Sequence, residues 1–286
     1  MMRVEAANAM ILPAVNFHVN RACNAHCTFC FATFRDVAGQ LPGPDVLRLL
    51  DLLAAAGVEK LNFAGGEPTL YRGIGPLMHA SKARGFVTSI VTNGARLDAL
   101  LNANAADLDW VGLSVDSALE SVEVALGRSR GQHVAESLRL AARCRALGIR
   151  VKLNTVVTAL NVDEDMSPFV RRMRPERWKV FQVLPMKGQN DGVVESLLVS
   201  GLAFAAFVER HRALASEGLA PIVEDNDAMR GSYAMIDPEG RFFGNATGEH
   251  VYSRPILEVG VETALAEVAV SAEKFELRGG RYSWGR

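Results

Sequence analysis

Short apolar, β-branched runs alternate along the chain with alanine- and leucine-rich stretches whose apolar residues recur at helical spacing. The runs predict strands at residues 15–19, 60–66, 87–94, 109–116, 151–157 and 177–184. The helical pattern covers residues 44–56, 75–84, 96–105, 131–147, 163–173 and 200–216. Strand–helix units in series favour parallel strands joined by right-handed crossovers. The pattern therefore predicts an α/β fold.

Polar side chains two residues apart interrupt three of these strands. They are Lys60 and Asn62, Lys152 and Asn154, and Arg177 and Lys179. Because successive side chains of a strand point to opposite faces, each pair lies on one face. An open parallel sheet buries both faces and rejects such charges, whereas the lumen of a full or partial barrel can be polar. Barrel sites lie at the C-terminal ends of the strands, yet Lys60 and Lys152 come early in theirs.

The last hundred residues have a different character. The sequence GSYAMIDPEGRFFG at 231–244 predicts a β-hairpin that turns at residues 238–240. We assign residues 1–184 to a barrel core and 185–286 to a C-terminal extension that covers the barrel and its active site. Since no repeat or Pro/Ser-rich linker separates them, we expect a single compact unit.

Composition narrows the class of protein. Of 286 residues, 49% are hydrophobic and 22% charged, which excludes intrinsic disorder. The formal net charge of −1 provides no basic field for nucleic acid. Apolar runs stay short of the roughly 18 residues of a membrane span, and residues 1–17 lack the basic start of a secretion signal. We therefore expect a cytoplasmic protein that binds neither membrane nor nucleic acid.

Three cysteines, Cys23, Cys27 and Cys30, form the pattern CxxxCxxC. Three thiolates in one loop can bind three irons of a cubane iron–sulfur cluster and leave the fourth iron open to a small molecule. Two alternatives remain on spacing alone. Zinc would need a fourth ligand, which His18 or His26 could supply, and the three cysteines could also be unrelated loop residues.

The cysteine loop resembles the radical S-adenosylmethionine (SAM) signature CxxxCxΦC, in which Φ is aromatic and Phe29 stands here. The sequence Gly-Gly-Glu-Pro at 65–68 is similar to the GGEP motif of the same enzymes. The resemblance implies a 4Fe–4S cluster whose open iron is chelated by SAM, and reductive cleavage of SAM to a 5′-deoxyadenosyl radical. We expect Gly65 and Gly66 to let the backbone approach the ligand closely, and Glu67 to accept hydrogen bonds from its ammonium group.

From about residue 16 to residue 284, the chain resembles the viperin family of radical SAM enzymes. The motifs that carry this resemblance include VNFHVNRACNAHCTFCF, EKLNFAGGEPTL, NVDEDM, RWKVFQVL and KFELRGGRYSW. It implies a partial (βα)6 radical SAM barrel with a C-terminal extension. It also implies conversion of a ribonucleoside triphosphate, CTP, UTP or GTP, to its 3′-deoxy-3′,4′-didehydro analogue, a chain-terminating antiviral nucleotide. The 4′ hydrogen is abstracted and the 3′ hydroxyl leaves as water.

The resemblance also implies roles for individual residues. It places Ser114 and Arg128 at the ribose and carboxylate of SAM, and Tyr233 beside the substrate ribose, where its phenol could relay a proton. Asn93 is a candidate for a further SAM contact, although an Asn-Gly turn is the simpler explanation for it. The substrate-binding residues that it implies are Asn16, Lys60, Lys152, Asn154, Arg177 and Lys179. The alternatives are that the charged residues are solvated strand-end charges, that Asn16 is a polar residue at a strand edge, and that Tyr233 only packs on the barrel end.

Partners and rival functions complete the expectations. The family implies a one-electron donor such as flavodoxin or ferredoxin, and we expect a monomer. One rival is a radical SAM enzyme that acts on another small substrate or a peptide. Peptide-modifying members commonly add a cysteine-rich C-terminal module, but no cysteine follows Cys144. A second rival is a non-catalytic iron–sulfur sensor, which would not cleave SAM.

Overall fold

A computed structural model describes residues 12–284. The first eleven residues, which belong to the segment in which the sequence predicts no secretion signal, lie outside the described residues, as do residues 285 and 286. Within the described range, ten strands form one sheet in the order β10-β9-β8-β1-β2-β3-β4-β5-β6-β7. The strands are β1 (Ala14–His18), β2 (Lys60–Ala64), β3 (Val87–Thr92), β4 (Trp110–Ser114), β5 (Arg150–Val157), β6 (Arg177–Gln182), β7 (Pro221–Glu224), β8 (Ala234–Ile236), β9 (Arg241–Gly244) and β10 (Val251–Pro255).

The strands from β8 through β1 to β7 pair in parallel, and β9 and β10 extend the sheet in antiparallel fashion. All six predicted strands are present, and the predicted fold class is confirmed. The hairpin is also present: β8 and β9 are joined by a turn in which the Gly240 N–H bonds the Asp237 carbonyl, with Gly240 at φ +79°. The strand β7 and the edge strand β10 were not predicted.

Helices follow the strands and supply the outer layer. They are α1 (Gly43–Ala55), α2 (Ile74–Ala83), α3 (Leu97–Asn104), α4 (Glu120–Ala125), α5 (His133–Ala146), α6 (Ser167–Met173), α7 (Gly201–Arg210), α8 (Asn226–Met229), α9 (Ile256–Val259), α10 (Val261–Ala266) and α11 (Ala272–Leu277). None of the helices within residues 12–284 is both long and apolar enough to cross a membrane.

Two helix predictions were too long. The pattern at 163–173 predicts a helix that opens on acidic residues, but α6 begins at Ser167. The carboxylate of Glu164 instead accepts hydrogen bonds from the Ala118 N–H (2.7 Å) and the Ser117 hydroxyl (2.6 Å), which hold the acidic segment against the turn after β4. The helix predicted at 200–216 ends at Arg210 and continues as a 3-10 helix over Arg212–Glu217.

Each central strand has one face toward the helices and the other toward a lumen. On β2, Leu61 and Phe63 are fully buried in the core beneath the helices. Lys60, Asn62 and Ala64 face the lumen instead. The same alternation holds on β5 and β6, as the spacing of the polar residues predicts. The sheet therefore separates an apolar outer core from a polar interior.

The parallel part of the sheet curls until its two ends meet. The Tyr233 hydroxyl, just before β8, donates a hydrogen bond to the Glu224 carboxylate at the end of β7. Lys179 of β6 donates a hydrogen bond to the same tyrosine oxygen at 2.8 Å. Since β8 and β7 bound the parallel run, these contacts close the lumen on the side where no strand pairing does.

Candidate active site

A cavity of about 560 Å³ occupies the lumen. Its volume lies within the range of roughly 300–1,000 Å³ that is usual for small-molecule and cofactor sites. All the residues for which the sequence predicts a role line it, and these are Asn16, Cys23, Cys27, Phe29, Cys30, Lys60, Gly65, Gly66, Glu67, Asn93, Ser114, Arg128, Lys152, Asn154, Arg177, Lys179 and Tyr233. The structure thus brings the whole predicted set to one place, although the individual roles stay predictions.

The cavity spans the lumen from end to end. The cysteine loop and the Gly-Gly-Glu-Pro turn follow the C-terminal ends of β1 and β2. Lys60 and Arg177 are the first residues of β2 and β6, so they lie at the opposite end of the lumen. The expectation that the site lies at the C-terminal ends of the strands therefore holds for the cysteine half alone. The basic half lies at the N-terminal ends.

The two glycines after β2 pack against the cysteine loop. A Cβ at Gly66 would lie 2.5 Å from the Ala22 carbonyl oxygen, and one at Gly65 would lie 2.6 Å from that of Asn20. The N–H groups of Gly66 and Glu67 donate to the Asn20 and Ala22 carbonyls, both at 2.8 Å. The close approach that these glycines permit is thus to the loop that carries the cysteines, whereas the sequence suggested an approach to the ligand.

Glu67 is almost completely buried and binds several donors of the protein itself. Its Oε1 accepts from the Thr69 N–H (2.9 Å) and from the hydroxyls of Thr69 and Thr92 (both 2.6 Å), and its Oε2 accepts from the Asn93 N–H (2.7 Å). Most of its accepting capacity is therefore used in tying the end of β2 to the end of β3. This leaves little for the ammonium group that the sequence assigned to it.

Asn93 links β3 to the cysteine loop. Its Nδ2 donates to Asn24 Oδ1 at 2.9 Å and lies 3.9 Å from Cys23 Sγ. Its Oδ1 accepts from the Ala95 N–H at 3.0 Å, which is the turn-forming bond that the alternative interpretation expected. Asn93 therefore forms the predicted turn and also contacts the cysteine loop, while its contact with SAM stays a prediction.

Arg128 anchors the other side of the cysteine loop. Its guanidinium lies 5.3 Å from the Phe29 ring centroid and pairs with Asp116, a fully buried carboxylate. The preceding Gly127 accepts the His26 N–H at 2.9 Å and has φ +77°, a conformation that favours glycine. The segment 126–128 therefore holds both the loop backbone and a cation beside the cysteines.

The cysteines are free thiols that face the cavity. Burial raises the pKa of the Cys27 thiol to about 12, with Arg128 acting in the opposite direction, and burial also raises the pKa of Cys23 and Cys30. Iron binds cysteine as the thiolate, so a bound cluster would replace these thiol protons. The residues fit a cubane cluster. Three thiols on one loop would bind three of its irons, and the cavity that they line has space for a ligand on the fourth.

The zinc interpretation finds no support. Over residues 12–284, no three or more His, Cys, Asp or Glu side chains are grouped so as to hold a single metal ion. One proposed fourth ligand, His18, packs edge-on against Phe34 and Phe243, with ring centroids 5.1 and 5.3 Å away. A cubane is not subject to this test, because each cysteine binds a different iron.

The basic end of the lumen is lined with aromatic rings. The Lys60 ammonium lies 4.5 Å from the Tyr282 ring centroid and 5.3 Å from that of Trp110, and it donates to the Tyr282 hydroxyl. Lys152 lies 5.0 Å from the Trp110 centroid, and the Arg177 guanidinium 3.8 Å from that of Tyr282. The rings hold the three cations by cation–π attraction without neutralising them.

These cations are held at high electrostatic cost. Burial, with the neighbouring cations Arg177 and Lys179, lowers the pKa of Lys60 to about 7, and burial together with Lys60 lowers that of Lys152 well below its usual value. In the described part of the chain, none of Lys60, Lys152 and Arg177 has a carboxylate within ion-pair distance. The buried Arg177 Nε atom also has no hydrogen-bond partner within the described residues. Such a cluster is suited to a polyanionic ligand.

A second polar group lies at the seam where the sheet closes. Burial lowers the pKa of Lys179 to about 8, against the opposing effect of Glu224, and burial raises that of Tyr233 well above its usual value. The Arg278 guanidinium stacks over the Tyr233 ring at 3.6 Å. Unlike Lys60 and Lys152, Lys179 is thus already paired with a carboxylate.

Sequence reasoning missed several residues of this site. Glu224 and Arg278 support Tyr233, whereas Trp110, Tyr282 and Trp284 surround the lysines. Arg278 and the two aromatic residues of the tail lie in KFELRGGRYSW, a motif that carries the family resemblance but to which no role was assigned. Trp110 is the first residue of β4. The alternation of side chains that was used for β2 would have placed it on the inner face of the sheet. No sequence signal distinguishes Glu224.

Comparison with known proteins agrees with this geometry. The radical SAM superfamily matches residues 17–173, more than half of the chain. The chain is 42% identical over 284 residues to an S-adenosylmethionine-dependent nucleotide dehydratase of Flammeovirga pacifica, covering 96% of this chain and 97% of that one. This chain belongs to the viperin family of radical SAM enzymes. Like the superfamily as a whole, it is an enzyme that uses a 4Fe–4S cluster and SAM.

Two further proteins set the limits of the comparison. A nucleotide dehydratase of the same description from Lacinutrix mariniflava is also 42% identical over 284 residues, but the chain spans only 59% of its length. The crystal structure of Streptococcus suis SuiB bound to S-adenosylmethionine aligns with a TM-score of 0.67 over 82% of this chain and 60% of that one. At 18% identity, SuiB shares the radical SAM fold with this viperin-family chain.

Proposed function

We infer that this chain converts a ribonucleoside triphosphate, CTP, UTP or GTP, to its 3′-deoxy-3′,4′-didehydro analogue. The nucleotide dehydratases that it resembles over almost its whole length support a nucleotide substrate. The observation that carries the proposal is a trio of cations in one cavity, the buried Lys60 and Lys152 and the half-buried Arg177. Among the described residues, none of the three has an ion-paired carboxylate. A triphosphate supplies the negative charge that these cations lack.

In this proposal one end of the lumen binds the cofactors and the other end binds the triphosphate. The cysteine end holds the cluster and SAM, which supply the 5′-deoxyadenosyl radical that abstracts the 4′ hydrogen. Arg128 and Ser114 line the wall where the resemblance places the carboxylate and ribose of SAM. With the triphosphate on Lys60, Lys152 and Arg177 at the far end, the substrate ribose lies between the two, which positions its 4′ carbon toward the cofactor.

The middle of the lumen is polar. Asn62 Nδ2 donates to Asn16 Oδ1 at 3.0 Å, and Asn154 faces the same space from β5. Asn62 Oδ1 is buried and has no hydrogen-bond partner among residues 12–284. We assign Asn16 and Asn154 to the substrate, where amide groups can bind ribose hydroxyls and exclude bulk water from the reacting carbon.

The extension and the partners complete the proposal. We propose residues 1–184 as the barrel core and residues 185–286 as the extension of one compact unit. Within the described residues, the extension contributes Tyr233, Arg278 and Tyr282 to the cavity wall. The reaction needs a one-electron donor, and a small redox protein such as flavodoxin or ferredoxin fits that requirement. We propose a cytoplasmic monomer.

An anaerobic turnover assay tests the function. The protein is reconstituted with iron and sulfide, reduced with dithionite, and offered SAM with CTP, UTP, GTP or ATP separately. The expected result is that one triphosphate stimulates 5′-deoxyadenosine formation and yields a nucleotide lighter by one water. Cys27→Ala is the control, since it should lose the cluster and both products. Cleavage of SAM without any nucleotide product would favour another substrate, and no cleavage at all would favour the sensor interpretation.

A further inference from the structure

Glu224 lies directly behind the cavity wall and contacts the groups that line it. It ends β7 and is completely buried, yet it is not itself part of the lining. Its carboxylate accepts a hydrogen bond from the Tyr233 hydroxyl and pairs with the Lys179 ammonium. Arg278 Nη1 lies 3.8 Å from the same carboxylate. One buried carboxylate thus touches three groups that face the substrate space.

Tyr233 is fixed on every side by this arrangement. Arg278 stacks on its ring and donates from Nε to the Ser232 carbonyl at 3.0 Å. The Lys179 ammonium donates a hydrogen bond to the Tyr233 oxygen at 2.8 Å, and the Tyr233 hydroxyl donates one to Glu224. The tyrosine oxygen therefore has a cationic proton source behind it and an anion that sets its orientation. A tyrosine that merely packed on the barrel end would not need either.

The proposed reaction requires a proton at this place. Once the 4′ hydrogen atom has left, the C3′–O bond breaks, the C3′=C4′ double bond forms, and the hydroxyl leaves as water. The balance needs one proton for the leaving oxygen and one electron from the one-electron donor named above. Cations at the triphosphate end are poor proton sources for this step, because bound phosphates would hold their protons.

We propose that Glu224 is a positioning residue that holds Tyr233 and Lys179 as the pair delivering this proton to the 3′ oxygen. Tyr233 donates its hydroxyl proton and recovers one from the Lys179 ammonium, and Glu224 keeps both groups aligned and the lysine charged before the step. The proposal rests on the dehydratase function. It gives Lys179 a role at the ribose, whereas the resemblance assigned it to the triphosphate.

The test uses Glu224→Gln, which keeps the size of the side chain and removes its charge. The quantity measured is the amount of dehydrated nucleotide formed per 5′-deoxyadenosine, with substrate deuterated at the 4′ carbon. Hydrogen abstraction precedes the proton transfer, so deuterium should still reach deoxyadenosine. We expect the ratio of product to deoxyadenosine to fall at least about tenfold. This is less than the roughly 10²–10⁴-fold usual for loss of a general acid, because Glu224 acts through Tyr233. A purely structural role would lower both products together.

A matched control and a second variant complete the test. Glu217→Gln removes an exposed carboxylate that pairs with Arg171, and it should leave the ratio unchanged. Tyr233→Phe removes the hydroxyl but keeps the ring under Arg278, and it should uncouple the two products as Glu224→Gln does. If Glu224→Gln does not fold, Tyr233→Phe decides. A wild-type ratio in the folded variants overturns the proposal, whereas a wild type that makes no dehydrated nucleotide overturns the dehydratase function and this inference with it.

Discussion

Gly66 lies against the carbonyl of Ala22 so closely that a Cβ on the glycine would stand 2.5 Å from that oxygen. The displaced atoms would be backbone of the loop that carries Cys23, so the loop itself would have to move. Gly66→Ala is therefore expected to lower iron incorporation severalfold without unfolding the barrel. Iron analysis and the visible absorbance of the reconstituted protein measure this.

Gly43→Ala is the matched control, because a Cβ at Gly43, at the start of α1, meets no atom of the described residues within 4 Å. It should bind as much iron as the wild type. Normal iron content in Gly66→Ala would contradict the claim that the glycine positions the cysteine loop.

Arg128 pairs with buried carboxylates, and we also propose that it binds SAM; substitutions can separate the two roles. Its removal in Arg128→Met leaves the buried carboxylates of Asp116 and Glu123 without their cation, which costs roughly 3–5 kcal/mol of unfolding free energy. Arg128→Lys keeps the charge but loses the planar fork that binds a carboxylate at two points. We expect Arg128→Met to have a much lower melting temperature. Arg128→Lys should keep a near-normal melting temperature but bind SAM about tenfold more weakly.

Thermal unfolding and SAM titration of the cluster-loaded protein distinguish the two effects. Arg130→Met serves as control, since Arg130 is exposed on the same loop and should affect neither measurement. Wild-type affinity for SAM in Arg128→Lys would remove the assignment of this residue to the cofactor.

The parts of the site that depend on residues close together in sequence were predictable. The period of two placed Lys60 and Lys152 on the inner face of their strands, and the spacing of the cysteines placed them on one loop. The pairing of Glu224 with Tyr233 was not predictable, because it depends on how far the whole sheet curls before β7 meets the segment before β8. The contact between Gly66 and the cysteine loop was not predicted for a similar reason, since sequence does not show which neighbour a glycine approaches.

Triphosphate affinity should depend on pH through the lumen lysines. Lys60 titrates with a pKa of about 7 in the folded protein, far below its usual value of 10.5, and binding the anion requires its proton. Above about pH 8 the nucleotide phosphates are already fully ionised, so remaining changes belong to the protein. We expect affinity to fall as pH rises from about 8 to 9.5, by up to about tenfold per pH unit for each lysine that takes up a proton.

Calorimetric titration in two buffers of different ionisation enthalpy measures both the affinity and the protons taken up. Lys60→Arg should give a shallower pH dependence of triphosphate affinity, because arginine stays charged throughout.

The same lysines affect the unfolding free energy in the opposite direction, so that stability rises where affinity falls. Since their folded pKa values are lowered, the unfolded chain binds more protons between about pH 7 and 10.5, so their contribution to the unfolding free energy increases as pH rises through that range. If triphosphate affinity changed equally with pH in Lys60→Arg and wild type, the assignment of Lys60 to the triphosphate would be contradicted.

Tyr282 should matter for the triphosphate and not for the cofactor, because it closes the end of the lumen that lies away from the cysteines. Its ring carries Lys60 and Arg177 and meets Trp110 and Trp284 edge-on at 5.6 and 5.9 Å. Tyr282→Leu removes the aromatic face that attracts both cations, so we expect nucleotide affinity to fall roughly fivefold or more. Tyr282→Phe keeps that face and should retain most of the affinity, whereas Leu277→Ala, an exposed change in the same tail, should have no effect. Iron content and basal SAM cleavage should stay normal in all three, so a loss of cluster in Tyr282→Leu would show that the tail supports the whole barrel instead of one end of it.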